Sequence, residues 1–480
     1  MISLLQDLLA LVVFFIFPGP VFSKNFGGYQ AVPGLIDLRT TFSDGSHSVE
    51  EMVQLARSRG FRVLFLNDHD RISLSYGLPP FRSILSYKKE YPSIMTHGPR
   101  QYLDEVKRIS ALYPDMVIVP GFITSPFYYW TGSWFTGDLT LHLYDRRVLV
   151  LDMNDAEAYQ RLPVLGNGLS SRYTRELAPG AALFLIPLFL GVLLFFWKGR
   201  LRTGGIILAV FSCMAIVEHH PFKSSRYGPY GGDHGIAPYQ EVIDYVQERG
   251  GLSFWNYPEQ KSGIRRHGPI FVHTPPYPEV LRLSNRYSGF AAIYGDTITV
   301  TEPGGEWDRV LNEFCQGLRS NPPWGIATAD FHEEGRLGLR LGSFPTTFLV
   351  ENLTRESVIE AIKKGRMYCS RGDGAVWPVL KGFQVSGHDG RRAVMGETLN
   401  TSHPPLIEFT VSFQGEKAGP MEVLLIRGGS LIHTIKGETP LEVRIVDENL
   451  PAGETTYYRI MDSKKHLTSN PIFVRYTRGS

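Results

Sequence analysis

Leu35-Ile36-Asp37-Leu38-Arg39-Thr40-Thr41-Phe42-Ser43-Asp44-Gly45 is the stretch on which the reading of this chain turns. Residues 35–39 form a largely apolar run that reads as a strand, and Ser43-Asp44-Gly45 is turn chemistry. A buried strand therefore delivers Asp37, Arg39 and Asp44 to its C-terminal end. Residues 48–58 follow with helical spacing, and Gly60 stands just past their end.

Working outward, the same alternation recurs. Strands are predicted at 63–66, 116–119, 147–151, 252–255, 290–293 and 325–328, with helices at 101–112, 239–248 and 306–318. Strand–helix alternation implies parallel pairing in a barrel or a doubly wound sheet, with the functional residues just past the strand C-termini. Beyond about residue 375 the pattern changes to short strands separated by turns, at 379–385, 406–413, 422–427, 441–446 and 457–461. That spacing predicts a small β-sandwich over 375–480.

Three apolar stretches interrupt this frame. Residues 8–17 followed by Pro18-Gly19-Pro20 and Ser23 read as a signal peptide or an uncleaved anchor over 1–23. Residues 180–197 and 206–217 are apolar all round and enclose the basic loop Lys198-Gly199-Arg200-Leu201-Arg202. This is the positive-inside pattern of a transmembrane hairpin over 179–218, with a pair of buried core helices as the alternative. Export at the N-terminus and a cytoplasmic basic loop place 24–178 and 219–480 on one side. The expected location is a membrane, with the soluble parts periplasmic or otherwise extracytoplasmic.

Polar residues suited to metals follow three strands: Asp44 and His47 after the first, Asn67-Asp68-His69-Asp70 after the second, and Ala329-Asp330-Phe331-His332 after a late one. Together they resemble the polymerase and histidinol phosphatase (PHP) metallohydrolases. That family usually opens with an Asp-Leu-His-x-His-Thr-x-x-Ser-Asp-Gly type of segment and carries later Thr-Asp-His-Asp and Ser-Asp-x-His motifs. Gly250-Gly251-Leu252-Ser253-Phe254-Trp255-Asn256-Tyr257-Pro258 is similar to its strand ending Ala-His-Pro, and Ser469-Asn470-Pro471-Ile472 to a tail in one hydrolase branch. The resemblance covers roughly residues 33–365. It implies a distorted TIM-like (β/α)7 barrel, in two parts over 24–178 and 219–370, with the transmembrane hairpin inserted and a C-terminal β-sandwich.

The departures are as informative. Asp37 and Arg39 stand where the family has its first two histidines, Phe122 where it has a bridging glutamate, and Tyr257 where a histidine precedes the proline. A multinuclear site is thereby disfavoured, because guanidinium offers only donors. The resemblance leaves a single divalent metal, zinc or manganese, on Asp44, His69, Asp330 and His332, with Asp37 and His142 as further candidates, or no metal at all. Arg39 either stabilises charge on a substrate or pairs with Asp37 or Asp330 in place of a metal. Asp68 either accepts a proton from the attacking water or orients His69.

Two functions follow. One is a hydrolase of a small-molecule phosphoester or related ester; the other is an inactive PHP-fold binding or scaffold protein at the membrane surface. The net charge of +2 gives no reason to expect nucleic acid. The three cysteines, Cys213, Cys315 and Cys369, outline neither a disulfide framework nor a zinc cluster.

Overall fold

A computed structural model describes residues 26–260, 263–296, 298–336 and 339–477. The signal-peptide or anchor expectation for 1–23 lies outside the described residues. Seven strands form the curled sheet that carries the site: β1 (Gln30–Leu38), β2 (Val63–Leu66), β3 (Val117–Thr124), β4 (Arg147–Leu151), β5 (Leu252–Asn256), β6 (Gly289–Ile293) and β7 (Trp324–Ala327). They are hydrogen-bonded in that order. The chain after β7 returns to β1, where Phe331 N donates to Asp37 O (3.2 Å) and Arg39 N donates to Phe331 O (2.9 Å). The rest of that edge of β1 pairs antiparallel with β8 (Pro345–Val350), which continues into β9 (Met367–Ser370).

The apolar runs explain this curl. All four residues of Val63–Leu66 are buried, as expected for strands covered on both faces. The helices around them carry local signals of their own. In Val49–Ser58, Ser48 accepts a bond from Glu51 N (3.3 Å), while Glu51 accepts one from Ser48 N (2.8 Å), which satisfies two otherwise orphaned donors.

Pairing differs from the all-parallel expectation at one strand, because β4 runs antiparallel to both β3 and β5. Parallel neighbours need a long crossover. Between β3 and β4 the chain builds instead the short strands Tyr129–Thr131 and Thr140–His142 of a side sheet. Arg265–His267 and Ile270–His273 complete that sheet. Tyr128 and Trp130 are buried in its own small core with Leu141.

Two helices, Thr174–Phe195 and Arg200–Glu218, are long and apolar enough to cross a membrane. Only 6% and 17% of their most apolar windows are buried, which is the opposite of a core helix pair. Phe189, Leu190, Ile207 and Val210 point outward. The second helix starts earlier than the sequence suggested, so Arg200 and Arg202 lie in its first turn and not in a loop. The helices meet at Gly191 and Gly205: a Cβ on Gly191 would stand 2.8 Å from Gly205 O, so only small residues permit this approach.

The C-terminal strands form two sheets over a shared core that includes Phe383, Ile407, Phe409, Val423, Leu425 and Ile460. One of these sheets is continuous with the barrel sheet, through Leu467–Ser469 against β9. Asn470 accepts a bond from Gly325 N (2.8 Å) and donates to Gly325 O and Met367 O (3.0 Å each). Cys213, Cys315 and Cys369 are all free thiols.

Candidate functional site

The ends of β1, β2, β5 and β7 converge on Arg39, whose side chain is wholly buried. Its guanidinium pairs with Asp37, donates to Asn67 O (2.6 Å) and reaches Asp330 Oδ1 (3.1 Å). Asp37 also accepts bonds from Asn256 Nδ2 (2.9 Å) and the Tyr257 hydroxyl. Arg39 Nε is buried with no partner. Three residues of this shell hold left-handed backbone conformations: Asp37 (φ 72°), Tyr257 (φ 47°) and Asp330 (φ 45°). Each such residue costs roughly 1–3 kcal/mol, and strain of this kind gathers where a site is held in a fixed shape. Gly45 closes the turn after β1 because a Cβ there would stand 2.3 Å from Arg39 O.

Asp44, His69 and His332 lie above this layer, nearer solvent. The Asp44 carboxylate is 3.1 Å from His332 Nε2 and 3.8 Å from His69 Nε2, with 40% of its side chain exposed. His332 Nδ1 donates to Asp330 O at 2.6 Å, which fixes the ring. Burial opposes ionisation of Asp44, yet the hydrogen bond from His332 and the nearby imidazoles and Arg39 outweigh it, so its carboxyl stays well below the usual range. Burial holds the His69 imidazole well below its usual pKa, and the Arg147 and Arg39 charges push the same way. A cavity of about 260 Å³ beside these groups is lined by Tyr257, Tyr294, Asp330, His332, Glu333 and Arg336.

Asp37, Asp44, His69, Asp330 and His332 are thus brought together, with Arg39 in the deeper layer bonded to Asp37 and Asp330. His142 is not: it lies in the side sheet, bonded to Thr131 Oγ1 (2.7 Å) and stacked on Tyr129. Asp68 is fully buried and accepts bonds from Thr40 N (2.7 Å), Thr40 Oγ1 (2.8 Å) and Ser43 Oγ (2.6 Å). Those bonds secure the turn after β1, and neither water activation nor orientation of His69 has a bond to support it. Burial raises the Asp68 pKa against these donors. Phe122 packs on Tyr159 at 4.8 Å inside the core.

Arg147, Asn67 and Asn256 belong to the site without having been singled out from sequence for a role. Asn67 accepts a bond from Asp37 N (3.1 Å) and donates to Val150 O (3.0 Å), which ties β1 to β4. For Asn67 and Asn256 the available signal was a polar residue at the end of a buried strand, whereas Arg147 opens β4.

The metal implied by the resemblance does not fit these side chains as they stand. Among the described residues, no group of three His, Cys, Asp or Glu is arranged to hold a metal ion. Asp37 and Asp330, two of the candidate ligands, are engaged by the Arg39 guanidinium instead.

No family model and no curated protein matches the chain. Among solved structures it is similar to a two-domain protein from Bacteroides vulgatus containing a predicted PHP-like metal-dependent phosphoesterase, at 10% identity over 94% of this chain and 96% of that one, with a TM-score of 0.36. It is also similar to a candidate metal-dependent phosphoesterase from Bifidobacterium adolescentis (15% identity, 68% and 94% covered, TM-score 0.29). A third is an amidohydrolase from Chromobacterium violaceum with bound sulfate and no metal (12% identity, 63% and 88% covered, TM-score 0.27).

Proposed function

We propose that this protein is a membrane-held hydrolase of a phosphoester or related ester, in which a buried guanidinium takes the place of a resident metal. The observation that carries the reading is the accessible Asp44 carboxylate, held between His69 and His332, the second of which lines the cavity. A carboxylate–imidazole pair of this kind can take a proton from water and return it to a leaving oxygen. His332, anchored through Nδ1 to Asp330 O, would keep its Nε2 face toward Asp44 during that exchange. Arg39 lies too deep to touch a substrate; its charge would act through Asp330 and on the potential of the cavity floor. Arg336 on the cavity wall would supply positive charge for an anionic ester.

In this reading the barrel comprises 24–178 and 219–370, a β-sandwich of 375–480 is an accessory module, and the helical hairpin crosses the membrane. Lys198, Arg200 and Arg202 would face the cytoplasm, and the site the outer side. Zinc or manganese has no place in it unless Arg39 is displaced.

The complete burial of Arg39 and its ion pairs favours a second reading, an inactive barrel that binds a ligand or partner at the membrane surface. The experiment that separates the two is turnover of phosphomonoester, phosphodiester and carboxyl-ester probes by the detergent-purified chain with chelator present. Turnover that survives chelation and disappears in Asp44→Asn supports the hydrolase. Absence of turnover with and without added metal, for every probe, overturns it in favour of the binding protein.

A further inference from the structure

The antiparallel strands Ile72–Gly77 and Ser86–Tyr91 form a two-stranded arm that pairs with no other strand among the described residues, and its first strand rests on the side sheet, where Trp130 Nε1 donates to Ser75 O (2.9 Å). Its tip, residues 78–85, is not free in space. Phe81 packs on Phe211 of the second apolar helix, with ring centroids 5.8 Å apart. Ser83 N donates to the Glu218 carboxylate at the end of that helix (2.7 Å). Arg82 lies over the Tyr230 ring at 3.9 Å, and Tyr230 in turn bonds Gly77 N (2.5 Å), which holds the arm against the segment leaving the helix.

These contacts fix the depth of the tip. Phe211 precedes Glu218 by seven residues, roughly 10 Å along a helix axis. The headgroup layer on each side of a bilayer is only about 5–8 Å thick. A side chain packed on Phe211 therefore stands at the acyl boundary when Glu218 stands at the water side. The tip is also apolar where it faces outward: Ile84 and Leu85 are 40% and 49% exposed. Lys88 and Lys89 follow on the exposed strand; Lys88 is paired with Glu90 (2.9 Å), while Lys89 lies over the exposed Tyr91 ring and is the cation placed to meet anionic headgroups. Phe222 and Leu169, beside the same helix end, are exposed as well.

We propose that this arm is a second membrane contact, with residues 78–85 immersed in the outer interfacial layer beside the hairpin and Lys88 and Lys89 on its headgroup side. The proposal rests on the reading of the hairpin as membrane-spanning. Its consequence is a fixed posture: the barrel is held by two helices and an arm, so it cannot swing freely about the hairpin.

The test uses the full chain with Cys213→Ser, reconstituted into vesicles of phosphatidylcholine with phosphatidylglycerol. A fluorophore is placed at Leu85→Cys or at Leu190→Cys on the first spanning helix, and nitroxide lipids quench it from known depths. The expected result is strong quenching of the Leu85 label by shallow nitroxides and of the Leu190 label by deep ones. Quenching at Leu190 with none at Leu85 overturns the arm contact and leaves the hairpin standing; the tip would then be bare or covered by protein. Quenching at neither position overturns the spanning hairpin and the arm contact together.

Discussion

Arg39 and Arg459 are both wholly buried and both paired with aspartate, yet their surroundings differ in kind. Arg459 joins the C-terminal strands to the barrel helix Glu306–Cys315. Its Nε and Nη2 bind Asp308 at 2.7 and 2.6 Å, and its guanidinium lies 5.0 Å from the centre of the Trp307 ring. Tyr457 completes Asp308 at 2.7 Å, and neither Asp308 nor Arg459 holds a left-handed backbone conformation. Arg39 shares its charge between two aspartates from distant parts of the chain, leaves Nε unpaired, and sits among three left-handed residues. One arginine is a joint that satisfies its partners. The other is held in a strained, incompletely satisfied shell that opens through Asp330 toward a cavity, and that contrast is the ground on which we propose a functional role for it.

The comparison can be broken by removing each cation. Arg459→Leu leaves Asp308 charged and buried, and an unfolding free energy lower by about 3–5 kcal/mol is expected, with turnover per folded molecule unchanged. Arg39→Leu is expected to cost less, about 1–3 kcal/mol, because Asn256 and Tyr257 still donate to Asp37 and the Asp330 side chain is 38% exposed. Turnover should nevertheless be lost. Denaturant melts of both variants decide this, and a larger stability loss at Arg39 would assign it the structural role instead.

Asp44→Asn sharpens the comparison from the rim. Turnover should fall by about 10²–10⁴-fold if Asp44 and His332 move the proton. Stability should change by less than ~1 kcal/mol, since the carboxylate is substantially solvated. Steady-state kinetics and a thermal melt on one preparation test both halves.

A pH-dependent effect, on stability alone, is expected at Asp70. Burial pushes its carboxyl up to about 7, against the opposing charge of Arg71. With an unfolded value of roughly 3.9, the folded state binds more protons between these limits, so stability declines as pH rises through that window. Asp70→Asn removes the titration. The variant should match the wild type near pH 4 and exceed it at pH 8 by on the order of a few kcal/mol. Melting temperatures across the range would show the two curves diverging, and parallel curves would remove Asp70 as the cause.

How much of this was legible in the sequence depended on how local the determinants were. The run Leu35 to Gly45 announces a buried strand ending in charge, and the strand and its turn lie where those residues indicate, with the helix after them. The antiparallel β4 was not legible, because its direction depends on a 22-residue connection that builds a side sheet with strands arriving after β5. Arg39 could be read as a substrate-facing or a metal-replacing group, and only the return of Asp330, 291 positions later, favours the latter arrangement. Asp68 looked like a base or a histidine partner because it adjoins His69. Its actual partners, Thr40 and Ser43, lie on the turn after β1, the strand paired beside β2. His142 sat at a plausible spacing, but the side sheet carried it away.

The central claim is that the Arg39 guanidinium is the resident cation of this site. The most direct measurement is the metal content of the detergent-purified protein after loading with zinc or manganese, for wild type, His69→Ala and Asp330→Ala. The account predicts only substoichiometric metal, the same in all three. About one tightly held metal per chain in the wild type, lost in both variants, would contradict it.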